Sequence, residues 1–145
     1  MKGSNPQMRP NLHFAGIAAD VLNHYQAALG GELEITRYGG TPAMAQMPAG
    51  SENKIAYGRL RTAFGEIDAM DAPPGRASEV GGNVTIAIDV DDAHHGANVF
   101  AKLSEGGEII LPYEETFYAQ RFGMCADKFG VRWMVNLAPV AAVAR

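Results

Sequence analysis

Apolar and polar residues alternate over Asn11–Ala15, with Leu12 and Phe14 on one side, and this two-residue period predicts a strand. From Ala18 to Leu29 the period becomes helical: Val21, Leu22, Tyr25 and Leu29 share one face. Gly30-Gly31 then ends the helix, since glycine takes the left-handed C-terminal conformation at little cost. Glu32–Tyr38 alternates Leu33 and Ile35 with charged residues, as a half-buried strand does. Gly39–Asn53 has no period, is rich in Gly, Pro, Ala and Met, and exceeds most connections within a domain, which points to a lid or binding loop. Lys54–Ala63 and Glu66–Asp71 read as a hairpin around Phe64-Gly65, closed by Ala72-Pro73-Pro74-Gly75.

The same order then returns. Asn83–Val90 reads as a strand and Asp91-Asp92 as the cap of a helix running to Leu103. Gly106-Gly107 stops that helix, Glu108–Leu111 is a strand, and Thr116–Ala126 with Val131–Leu137 forms a second hairpin. Gly30-Gly31-Glu32 recurs 76 residues on as Gly106-Gly107-Glu108, and Phe64-Gly65 recurs 65 residues on as Phe129-Gly130. The first half is therefore longer by 11 residues, which the Gly39–Asn53 loop absorbs. These matches predict an α+β fold of two βαβββ repeats. Residues 9–138 form a single domain of two modules, 9–75 and 82–138, after a lead-in over 1–8 and before a tail over 139–145.

A βαβββ unit is a curled mixed sheet with a helix on one face. Two such units, within one chain or across a dimer, can curl around a shared cavity. Strand alternation sorts the residues between the two faces. Leu12, Phe14, Val84, Ile86, Ile88, Trp133 and Val135 are expected beneath the helices. Asn11, His13, Asp68, Met70, Thr85, Ala87, Asp89, Arg132, Met134 and Asn136 are expected on the hollow side. Polar groups on an apolar lining suit a small-molecule ligand.

Composition narrows the classes. The 145 residues are 47% hydrophobic and 19% charged, a globular balance, with net charge −4. No Lys/Arg cluster stands ready for a phosphate backbone, so no nucleic-acid partner is expected. No apolar run approaches a bilayer span, so no membrane partner is expected either. The first residues lack a secretory apolar region and Cys125 is the only cysteine, which favours a cytoplasmic setting.

Tyr25-Gln26-Ala27-Ala28-Leu29-Gly30-Gly31-Glu32 resembles the first-helix signature of the glyoxalase/bleomycin-resistance/dioxygenase (vicinal oxygen chelate) superfamily. Met70-Asp71-Ala72-Pro73-Pro74-Gly75, Glu115–Gly123 and Asp127–Asn136 resemble its PhnB-like branch, and the resemblance spans Pro10 to Asn136. It implies a homodimer with a small-molecule cavity. It also implies four slots, on the first, fourth, fifth and eighth strands, where the superfamily's metal enzymes carry His or Glu. Here these fall at Arg9 or Pro10, near Asp68, at Thr85 and at Met134. Only Asp68 suits a hard divalent ion, so no cofactor is predicted, with a divalent metal left open at slots that largely lack ligands. Members of the branch are sometimes labelled demethylubiquinone methyltransferases, but no Gly-rich nucleotide loop on a parallel βαβ unit precedes the first helix here.

Three functions remain open: a metal-free binding protein for a hydrophobic or oxyanionic compound, a lyase, isomerase or dioxygenase using a metal or acid–base chemistry, and a purely structural dimerisation module. For the second, His13 is the candidate catalytic residue, a ligand contact or general base on the hollow side. The candidate ligand-binding residues are Asn11, His13, Asp68, Met70, Thr85, Asp89, Tyr118, Arg121, Phe122, Met134 and Asn136. Arg121, among aromatics, suits a carboxylate or a salt bridge equally. His94-His95 on a first helical turn diverge and read as solvated, as does His24 beside Tyr25. Cys125 reads as an inert buried filler and Trp133 as core.

Overall fold

The computed structural model describes residues 7–75, 83–115 and 120–137. Its first unit runs β1 (Asn11–Phe14), α1 (Ala18–Leu29), β2 (Glu32–Arg37), β3 (Ile55–Thr62) and β4 (Gly65–Asp71). Its second runs β5 (Thr85–Val90), α2 (Ala93–Ser104), β6 (Glu108–Glu114), β7 (Arg121–Ala126) and β8 (Arg132–Leu137). The sheet orders are β1-β4-β3-β2 and β5-β8-β7-β6, with β1 parallel to β4, β5 parallel to β8, and every other pair antiparallel. Each unit is thus a four-stranded mixed sheet with one helix, and the architecture is α+β with βαβββ twice.

The glycines show why both halves share a sequence rhythm. A Cβ on Gly31 would strike the backbone carbonyl of Arg61; one on Gly107 would strike that of Ala126. Gly31 and Gly107 are 76 residues apart, Arg61 and Ala126 are 65 apart, the two offsets of the repeat. Each glycine lets a strand start against the end of its neighbour, at the Glu32–Arg61 and Glu108–Ala126 pairs. Gly58 and Gly123, also 65 apart, lie under Leu22 of α1 and Phe100 of α2, where a side chain would not fit. The second hairpin is one residue longer: Arg61 pairs with Glu66, but Ala126 with Arg132.

Buried carboxylates pin both units. Asp71 accepts the backbone N–H of Gly16 at 2.8 Å, Ala18 at 2.9 Å and Ile55 at 2.9 Å, tying the start of α1 to β3 and β4. Its backbone carbonyl accepts the Tyr38 hydroxyl at 2.6 Å. Asp127 accepts the N–H groups of Phe129 and Val131 and the Trp133 indole N–H, closing the β7–β8 turn. Asp92 caps α2 through the His95 N–H at 2.8 Å.

Several expectations are corrected. Val84 is 68% exposed and precedes β5, so it does not pack beneath a helix. β6 runs past Leu111 to Glu114 because the bulges between Ile109 and Glu114 let an edge strand absorb Pro112. The Gly39–Asn53 loop carries a short 3-10 segment, Pro42–Gln46. β7 starts at Arg121; Thr116–Ala119 lie outside the described residues, as do the start of the lead-in and the tail. No helix among the described residues is long and apolar enough to cross a membrane.

Cys125 is fully buried, and desolvation, followed by the nearby Asp127 carboxylate, pushes its thiol up to about 11. The thiolate fraction at pH 8 therefore falls roughly 100-fold below that of a thiol with the ordinary value of 9.0. Labelling by a disulfide reagent at pH 8 is expected to be at least about 100-fold slower in native protein than in urea. Equal rates would place the thiol at the surface. The raised value stabilises the fold fully below pH 9 and less as pH rises through 11.

Candidate functional site

The registers decide which side chains share a face. On the first sheet, Asn11 stands opposite Asp68 and His13 opposite Met70, while Asp68 stands opposite Arg59. Asn11, His13, Asp68, Met70, Tyr57, Arg59, Arg61, Glu34 and Glu66 therefore project from the face away from Leu60, Ile67 and Ala69, which are buried. Asn11 and His13 are exposed and Met70 is half-buried.

Asp68 is the centre of this face. It is 6% exposed, and its carboxylate accepts Arg9 Nε at 2.9 Å, Arg59 Nε at 2.8 Å and Arg59 Nη2 at 3.3 Å. The first- and fourth-strand metal slots are thus joined to each other by an ion pair. Arg59 also lies 5.1 Å over the Tyr57 ring. Burial, then the Asp68 and Glu34 carboxylates, raise the Tyr57 hydroxyl against the opposing pull of Arg9 and Arg61, so it stays protonated as a donor at neutral pH. Glu34 and Glu66 surround Arg61, at 3.0 and 3.7 Å.

The second sheet brings Thr85, Ala87 and Asp89 into register with Arg132, Met134 and Asn136 on one face. Phe122 pairs with Asn136 and Met124 with Met134, so Phe122 shares that face and is buried there. The Asn136 amide donates to Asp89 at 3.2 Å, so these two candidates hold each other. Arg121 is not brought to them. It pairs with Leu137, one step out of phase with Phe122, and the pleat turns it to the α2 side; there burial raises the Tyr113 hydroxyl, with Arg121 pulling against that rise and Asp92 adding to it. Tyr118 lies outside the described residues. His94 and His95 are exposed; His24 is half-buried, its ring 6.0 Å from that of Tyr25.

These residues do not fit a divalent ion. Asp68 is engaged by two guanidiniums, Arg9 carries positive charge into the first slot, and Thr85 and Met134 supply no imidazole or carboxylate. No group of three His, Cys, Asp or Glu side chains among the described residues is arranged to hold a metal. Arg59 and Tyr57 were missed by the sequence reading. Alternation over Tyr57, Arg59 and Arg61 was the available signal, but only the β3–β4 register aims Arg59 at Asp68.

Two βαβββ units, with slots at the equivalent positions of each, define a protein of the vicinal oxygen chelate type. The model of the Glyoxalase/Bleomycin resistance protein/Dioxygenase superfamily matches residues 14–135, and the chain belongs to that superfamily. It is similar to Protein YjdN of Escherichia coli K12, with 36% identity over 140 residues, covering 90% of this chain and 94% of that one. Protein PA1353 from Pseudomonas aeruginosa is 34% identical, superposes with a TM-score of 0.82, and is matched over 92% of this chain and 98% of its own. A Bacillus cereus PhnB protein, described as a putative 3-demethylubiquinone-9 3-methyltransferase, shares the fold at TM-score 0.72 and 21% identity, over 92% of this chain and 100% of its own.

Proposed function

We propose that the protein binds a small organic molecule without a metal ion, against the polar face of the first sheet, which carries the first- and fourth-strand slots. The observation that supports this reading is the Arg9–Asp68–Arg59 ion triad, which uses the one carboxylate that a cation would need. Removing a guanidinium from a buried carboxylate to admit a cation would leave charges unpaired. The working unit in this proposal is a homodimer in a reducing, cytoplasmic setting. Ile109 and Leu111, 55% and 46% exposed on edge strand β6, support a protein partner.

Titration of metal-depleted protein with Zn, Ni, Mn and Fe(II) tests the reading. No stoichiometric uptake is expected, and sedimentation of the same sample is expected at twice the 15.5 kDa chain mass. One-to-one metal binding that perturbs the resonances of Asp68 would overturn the metal-free assignment.

A further inference from the structure

Asp68 carries one negative charge and serves two guanidiniums, so the triad holds one positive charge that its own carboxylate does not cancel. The wider face carries Arg9, Arg59 and Arg61 against Glu32, Glu34, Glu66 and Asp68. The ion pairs are nevertheless segregated. Glu34 on β2 lies 3.0 Å from Arg61, Glu66 on β4 lies 3.7 Å from Arg61 and 3.8 Å from Arg59, and among the described residues Arg9 is ion-paired to Asp68 alone. On the β1 side stand Arg9, Asn11 and His13, with Asp68 the acid nearest to them.

The donors are segregated in the same way. Arg9 spends Nε on Asp68, and its two terminal nitrogens have no hydrogen-bond partner among the described residues. Its side chain is 25% exposed, which holds it partly out of water while leaving its fork open. The protonated Tyr57 hydroxyl adds a donor to the same face, and Met70 adds an apolar surface beside His13. A guanidinium fixed through Nε by a carboxylate presents its remaining N–H groups in a set plane, the arrangement that takes a carboxylate with two parallel bonds.

We propose that this β1 side of the first sheet is a carboxylate-binding site, in which Arg9, oriented by Asp68 and backed by Arg59, receives the anionic group of an organic ligand. The positive charge that a divalent ion would bring to the first- and fourth-strand slots is supplied by arginine instead. The proposal rests on the small-molecule reading above and names the ligand's chemical class.

The test uses full-length protein at low ionic strength, with benzoate and its neutral counterpart benzamide as probes, and reads the Nε–Hε NMR signals of the arginines. Benzoate is expected to shift Arg9 and Arg59 saturably, and benzamide to leave them in place. Arg9→Gln should weaken benzoate roughly tenfold or more, with Arg9→Lys recovering part of the loss. Equal shifts by both probes would overturn the carboxylate assignment and leave small-molecule binding standing. Unchanged affinity in Arg9→Gln would overturn it too.

Discussion

Asp71→Ala is expected to lower the free energy of unfolding by at least about 3 kcal/mol, a large part of the roughly 5–15 kcal/mol typical of a domain. Asp71 is 1% exposed, and its two oxygens receive three backbone N–H groups, from Gly16, Ala18 and Ile55. Alanine would leave those donors without a partner, away from water, and would remove the negative charge from the α1 N-terminus. Asp71→Asn keeps one accepting oxygen and should lose about half as much. Urea denaturation followed by far-ultraviolet circular dichroism measures both. If Asp71→Ala unfolded at the urea midpoint of the parent protein, the carboxylate would not be the clasp between α1, β3 and β4.

The second large effect is expected at the repeated glycines. Gly31→Ala combines a φ of +100° with a Cβ only 2.9 Å from the Arg61 carbonyl carbon. Gly107→Ala places a Cβ 2.7 Å from the Asp127 carbonyl carbon. In both cases the obstacle is backbone in the neighbouring strand, which cannot turn aside as a side chain can. Each change should cost roughly 2–4 kcal/mol. Gly30→Ala is the control: its φ is +75°, but nothing lies within 4 Å of the added Cβ, so about 1 kcal/mol is expected. Thermal melts of the three variants should rank Gly30→Ala well above the other two. Equal losses at Gly30 and Gly31 would mean that backbone conformation, not strand approach, explains the doublet.

Much of the sheet was legible because alternation is a local property. Trp133 and Val135 are buried while Met134 and Asn136 between them are half-exposed, and Ile88 and Val90 are buried while Asp89 is exposed, as a two-residue period requires. The period fails where a strand ends, which is why Val84 emerged exposed. Arg121 was undecided for a related reason. Its direction depends on its pairing with Leu137, and pairing is a property of two strands rather than one. The overlong Gly39–Asn53 loop gave no warning that backbone bonds pin its ends, from Tyr38 to Lys54 and Gly39 to Glu52, both at 2.9 Å.

The order of elements, the repeat and its two offsets, and the lack of ligand residues at Thr85 and Met134 were determined by the sequence alone, since each depends on residue type and spacing along the chain. The state of Asp68 was decided by tertiary structure. Arg9 and Arg59 lie 59 and 9 residues from it in sequence, and only the parallel β1–β4 and antiparallel β3–β4 registers bring both guanidiniums onto its oxygens. A carboxylate that reads as a metal ligand in one dimension becomes, in three, the anchor of two arginines, because electrostatic partners are chosen by distance in space.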